Sequence, residues 1–158
     1  MLETPIALTN TFSVGTVATA QIRHCVAANP ESGRALPTVN PLVFECNDGF
    51  LNDIQKLAVA ETHYQQALEN AHADFAQGAV GAGRGMSSFG LKGGIGSASR
   101  RVPAPGGGTH TVGALVLANY GRLPQLVLAG HAVGERLAAL TAPPGPAAPA
   151  EAEKGSII

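Results

Sequence analysis

Tryptophan is absent, aromatic residues make up 4% of the chain and charged residues 13%. So few charges do not give the polar, self-repelling composition of a disordered chain, and most of the sequence is expected to fold. No excess of one sign is present either: ten Lys and Arg against eleven Asp and Glu leave a formal net charge of −1. That balance supplies no long-range field toward nucleic acid or an anionic membrane, so both are excluded as expected partners. Cysteine is nearly missing. Cys25 and Cys46 stand in no CxxC or paired Cys/His spacing, which argues against a zinc site or a disulfide framework, and both are expected as buried small apolar residues. No apolar run approaches the ~20 residues of a membrane-spanning helix. The longest, Val112 to Ala118, gives way to Asn119, Gly121 and Arg122. The N-terminal Met1 to Pro5 has neither a basic segment nor an apolar one of secretory type.

What the chain has instead is small residues. With 158 residues it reaches the size of one domain with an ordinary core, and its 20 glycines suit closely packed layers. Val14, Val17, Ala18, Ile22, Cys25 and Val26 recur at helical spacing before an Asn29 to Gly33 stop, so a helix is expected over 14–28. Leu42-Val43-Phe44 reads as a buried strand that ends at Glu45 and runs into a turn at Asp48-Gly49. Thr62 and Gln65 have the spacing of a capping box, and Tyr64, Ala67, Leu68, Ala71 and Phe75 extend a second helix behind it. Residues 78–96 hold eight of the glycines and show no helical period, which points to strands and turns. Val112 to Tyr120 and Leu126 to Ala129, apolar on both faces, are expected as strands of a helix-covered sheet. From Ala139 the chain turns to Pro and Ala, a flexible linker by composition, before Gly155-Ser156-Ile157-Ile158 begins what reads as a new strand. The expected division is therefore a domain over 1–138, a linker over 139–155 and the start of a further region at 156–158.

The familiar catalytic motifs do not fit. The glycine-rich stretch lacks the Gly-Lys-Ser/Thr of a phosphate loop, since Leu91 separates Gly90 from Lys92. His24, His63, His72, His110 and His131 form no metal-ligand spacing, so neither metal nor organic cofactor is expected. Ser87 and Ser88 are misplaced for a GxSxG nucleophile elbow and read as turn serines. By spacing alone, Glu45 and Asn119 are polar residues at strand ends next to turns.

Taken together, however, several segments resemble the self-processing serine aminopeptidases that include the L-aminopeptidase/D-esterase-amidase and the β-aminopeptidases. The matching stretches are ETPIALTNTFSVG at 3–15, ECNDGFLNDI at 45–54, GAGRGMSSFGLKGGIGSASR at 81–100, HTVGALVLANYG at 110–121 and the terminal GSII. The resemblance implies a four-layer α/β/β/α sandwich like that of N-terminal nucleophile hydrolases. It also implies a precursor that cuts itself between Gly155 and Ser156, so that Ser156 becomes an N-terminal nucleophile. By the same likeness Asn119 donates to the oxyanion and Glu45 binds the free amino group of a peptide, amide or ester substrate. Asn47 falls in the substrate pocket, where the family usually has an aromatic residue.

Members of the family begin with strands before the ETPI block and continue into a β chain that carries a further catalytic Ser and Glu. The sequence is thus expected to be an internal part of a longer gene product, inactive at this length, whose missing partner is that β chain. Homo-oligomers of αβ units are implied, in the cytoplasm or, if an earlier segment directs export, the periplasm. Two other readings share the scaffold: a non-catalytic relic or binding module, and an acyltransferase of the ornithine acetyltransferase type, against which Ser156 argues because that nucleophile is usually Thr.

Overall fold

The structure, a computed structural model, describes residues 3–141 and 156–158. Strand β1 (Ile6–Asn10) leads through a 3-10 turn at Thr11–Ser13 into helix α1 (Val14–Ala28), and the chain returns as β2 (Leu42–Cys46), parallel to β1. Parallel pairing needs such a crossover, and it brings the carboxyl ends of both strands to the same edge, with Thr9 opposite Glu45 and Asn10 opposite Cys46. Helix α1 has the expected bounds. Asn29 ends it in extended conformation, its N–H still bonded to the Cys25 carbonyl. The inward stripe is narrower than the sequence pattern indicates: Val17, Ala20 and Gln21 are buried, whereas Ile22 and Val26 are each 39% exposed. Cys25 is only half-buried, so of the two cysteines Cys46 alone is a core residue.

Helix α2 (Glu61–Glu69), with Ala60 as its N-cap, starts two residues earlier than the Thr62 capping box requires. Its cap is instead formed by His63, whose Nδ1 accepts the Ala60 N–H at 2.8 Å. The helix stops before Ala71 and Phe75, which continue the apolar spacing but not the helix. After it, a 3-10 turn at Gly81–Gly85 precedes a short hairpin of β3 (Ser87–Ser88) and β4 (Leu91–Lys92), then the long antiparallel pair β5 (Gly94–Pro103) and β6 (Thr109–Asn119). The glycine-rich region is therefore turn and strand, as its lack of period indicates.

Val17, Ala20 and Tyr64 form one core cluster, packed on Ala7 and Val43 of the β1–β2 sheet and on Val59 and Leu68. The other face of that sheet offers Leu8 and Cys46 to Met86 and Leu117, with Ala82, Ile95 and Ile158 around them. The order is thus helices, sheet, sheet. Gln21 ties the first two layers together: fully buried, it donates through Nε2 to the Pro5 carbonyl and accepts the Leu42 N–H through Oε1 at 2.8 Å. Gln21→Leu removes both bonds from these part-buried main-chain groups at ~0.5–1.5 kcal/mol each, so a loss of about 1–3 kcal/mol is expected in denaturant unfolding of the full-length protein.

Three expectations fail in this part of the molecule. Leu126 to Ala129 is not a strand: Pro124 opens a 3-10 turn at Leu123–Gln125, and Ala129 and Gly130 turn the chain with positive φ, so Leu128 makes only a bridge to His131. β6 is not buried on both faces by the described residues, with Val112 61% and Leu115 48% exposed. Finally, helix α3 (Val133–Thr141), seated on the Leu123–Gln125 turn, runs three residues past the expected linker boundary at 138/139. The rest of that linker, 142–155, lies outside the described residues. Ser156–Ile157 does form a strand, β7, antiparallel to β6.

Candidate active site

The carboxyl ends of β1, β2 and β6 meet at one place. Asn119 closes β6 and is 8% exposed. Its Oδ1 accepts the Ser87 N–H at 2.9 Å, and its Nδ2 donates to the Asn47 carbonyl at 2.8 Å. An N–H demands the amide oxygen and a carbonyl demands the amide nitrogen, so these two main-chain groups fix which way the side chain is turned. One Nδ2 hydrogen lies outside both bonds. In the β6–β7 register Asn119 is the partner of Ser156 and Ala118 the partner of Ile157. The Leu117 and Ile158 main chains exchange hydrogen bonds one step further along. Gly155 lies outside the described residues.

Glu45 is half-buried near the end of β2, and its Oε2 accepts the hydroxyl of Thr11 from the turn that follows β1. The next residue, Cys46, is fully buried, and burial first, then the Glu45 charge, pushes its thiol up to about 11. That thiol stays protonated at neutral pH and is no nucleophile. Asn47, which the resemblance puts in the substrate pocket, is exposed and adjoins Asn119. Its side-chain oxygen accepts the Gly49 N–H at 2.8 Å and shapes its own turn, while its carbonyl holds Asn119.

Asp48, Gly85, Ser87 and Lys92 also belong to this place, and the sequence alone gives none of them that part. Asp48, 6% exposed, accepts through Oδ2 from the amides of Asn10 (3.2 Å) and Asn52 (2.8 Å) and so clamps the end of β1 to the loop after β2. Gly85 lets the next segment approach that clamp, since a Cβ there would lie 2.3 Å from Asn52 Nδ2. Ser87 contributes its N–H, not its hydroxyl, which donates to the Leu91 carbonyl; the Ser88 hydroxyl donates to the Tyr120 carbonyl. Both serines are structural, as their motif context indicates. Lys92 donates from Nζ to the carbonyls of Gly83, Met86 and Gly93. The one readable signal for Asp48 is the density of Asn and Asp in ECNDGFLNDI. Among the described residues no three His, Cys, Asp or Glu side chains gather as metal ligands, and no helix is long and apolar enough to cross a membrane.

Residues 1–158 match the model of peptidase family S58 along their whole length. The chain belongs to that family. The β-peptidyl aminopeptidase BapA of Sphingosinicella microcystinivorans is 42% identical over 135 residues, which cover 85% of this chain and 33% of that protein. Among solved structures, the PH0078 protein of Pyrococcus horikoshii OT3 superposes with a TM-score of 0.84 at 50% identity, over 89% of this chain and 39% of its own. The L-aminopeptidase D-Ala-esterase/amidase of Ochrobactrum anthropi, a serine aminopeptidase with a variant of the Ntn hydrolase fold, gives 0.76 at 39% identity, over 82% and 36%. The chain thus spans about a third of the curated S58 relatives it matches. The α/β/β/α architecture of the Ntn hydrolase type expected from the sequence holds, and the described residues supply a helix layer and the two sheet layers.

Proposed function

We propose that this chain is the nucleophile-bearing part of a self-cleaving serine aminopeptidase, with Ser156 as nucleophile, Asn119 as oxyanion donor and Glu45 as the anchor for the substrate's free amino group. The observation that carries the reading is the register of β6 with β7, in which Ser156, the first residue of β7, is the partner of an asparagine whose amide is already oriented.

Cleavage before Ser156 frees an α-amino group whose ordinary pKa is ~7.7–8.0, and that group serves as base for the adjacent hydroxyl. In the precursor the hydroxyl attacks the Gly155 carbonyl; an ester forms as the peptide bond breaks, and water then releases the α chain. In turnover the same hydroxyl attacks the substrate carbonyl, the amine leaves with a proton, and water hydrolyses the acyl-enzyme. Each tetrahedral stage places negative charge on an oxygen, and the Asn119 hydrogen not used by Asn47 is the donor for it. Glu45 spends Oε2 on Thr11 and keeps Oε1 for the substrate ammonium, which selects unblocked N-termini. Peptides, amides and esters with a free amino group are the substrate class, and the β chain of the same precursor and oligomers of αβ units complete the enzyme.

Glu45→Gln tests the anchor. It should lower kcat/KM for free-amine substrates by ~30-fold or more, the scale of losing one partner of a desolvated charge pair, and leave N-acetylated substrates almost unchanged. Equal losses on both would remove Glu45 from this role.

A further inference from the structure

The Ser87 N–H that orients Asn119 lies on a two-residue strand, too short to hold its own place. In the β3–β4 register Ser87 is the partner of Lys92. The Lys92 ammonium has three hydrogens, and each finds a main-chain carbonyl: Gly83 at 2.7 Å, Gly93 at 2.8 Å and Met86 at 3.0 Å. These carbonyls belong to the 3-10 turn before β3, to the residue after β4 and to the residue before Ser87. Met86 is also a fully buried member of the core with Leu117 and Cys46, and its carbonyl accepts the Gly93 N–H at 2.9 Å. The hairpin abuts β6 directly, because a Cβ on Gly93 would lie 2.3 Å from the carbonyl of Ala118, the neighbour of Asn119.

We propose that Lys92 is a positioning residue for the oxyanion donor, acting on Asn119 through the Ser87 N–H. Three carbonyl dipoles aimed at one point repel each other, and the ammonium is what holds them there. Charge-assisted bonds of this kind are about twice as strong as neutral ones. Without the ammonium the turn and the hairpin separate, the Ser87 N–H leaves Asn119 Oδ1, and the amide keeps only one of the two bonds that set its direction. A misplacement of ~1 Å at such a group costs on the order of 10²-fold in rate.

The inference rests on the reading of Asn119 as oxyanion donor, and a double-mutant cycle in the full-length protein separates the two. Lys92→Met should lower kcat ~10–100-fold with little change in KM, and in an Asn119→Ala background it should lower kcat no further, because its effect passes through Asn119. Losses that multiply in the double variant would overturn the role of Lys92 while leaving Asn119 as donor. An Asn119→Ala enzyme with normal kcat would overturn the donor reading and this inference with it. Should Lys92→Met not fold, Lys92→Gln and the side-chain amide resonances of ¹⁵N-labelled Asn119 decide: the two hydrogens should lose their distinct shifts and exchange faster, and an unchanged pair would refute the proposal.

Discussion

Ser156→Ala should reduce turnover by roughly 10⁶-fold, the scale on which serine hydrolases lose activity with their nucleophile. The loss should be accompanied by failure of processing, because in the proposed mechanism one hydroxyl serves both reactions. Alanine keeps the backbone of β7 and its pairing with Ala118 and Asn119, which are main-chain interactions. The variant should therefore fold, remain a single chain and still bind free-amine substrates through Glu45. A binding module that merely keeps the scaffold would show neither loss, so the same variant separates the enzyme reading from the non-catalytic one.

Asn119→Ala should lower kcat per processed chain by ~10²–10³ while changing KM by only a few-fold, the pattern of a group whose interaction strengthens as charge develops in the transition state. Part of the effect is local. Truncation leaves the Ser87 N–H and the Asn47 carbonyl without the partner each has in the intact site, and a modest fall in stability follows from those two groups. Asn119→Asp distinguishes the contributions. A carboxylate can still accept from Ser87, yet it has no hydrogen for the oxyanion and adds like charge beside it, so its kcat should be no better than that of the alanine variant.

The parts of this fold that were legible in the sequence are those set by local rules. Helix α1 has a period of apolar residues and an Asn-Pro-Glu-Ser-Gly stop; β2 is a short apolar run that ends in a turn, although Phe44, expected buried, is 43% exposed among the described residues. Leu126 to Ala129 has the same apolar content as a strand, but Pro124 before it and Gly130 after it leave no room to extend, and apolarity alone cannot show that. For β6 the residues announce a need for cover without saying what supplies it, which is why Val112 and Leu115 read as buried yet are exposed among the described residues. The cap of α2 was misplaced because a histidine ring can replace the usual Glu or Gln when the N-cap is alanine.

The site divides in the same way. Glu45, Asn119 and Ser156 are reached through family-like motifs, whereas Asp48 and Ser87 act through bonds to segments distant in sequence and Lys92 through three nearby main-chain carbonyls. Two of these three work on or through the main chain, which carries no residue-specific signal. Asn47 shows the limit most clearly: its bond to Asn119 runs through the main-chain carbonyl, which every residue has.

Intact mass spectrometry of the freshly expressed full-length protein tests the central claim most directly. The expected result is two chains, the second beginning at Ser156, with activity rising as the precursor mass disappears and with Ser156→Ala remaining whole and inactive. A wild-type protein that stays uncut and is active, or one cut at another bond and equally active, would contradict it.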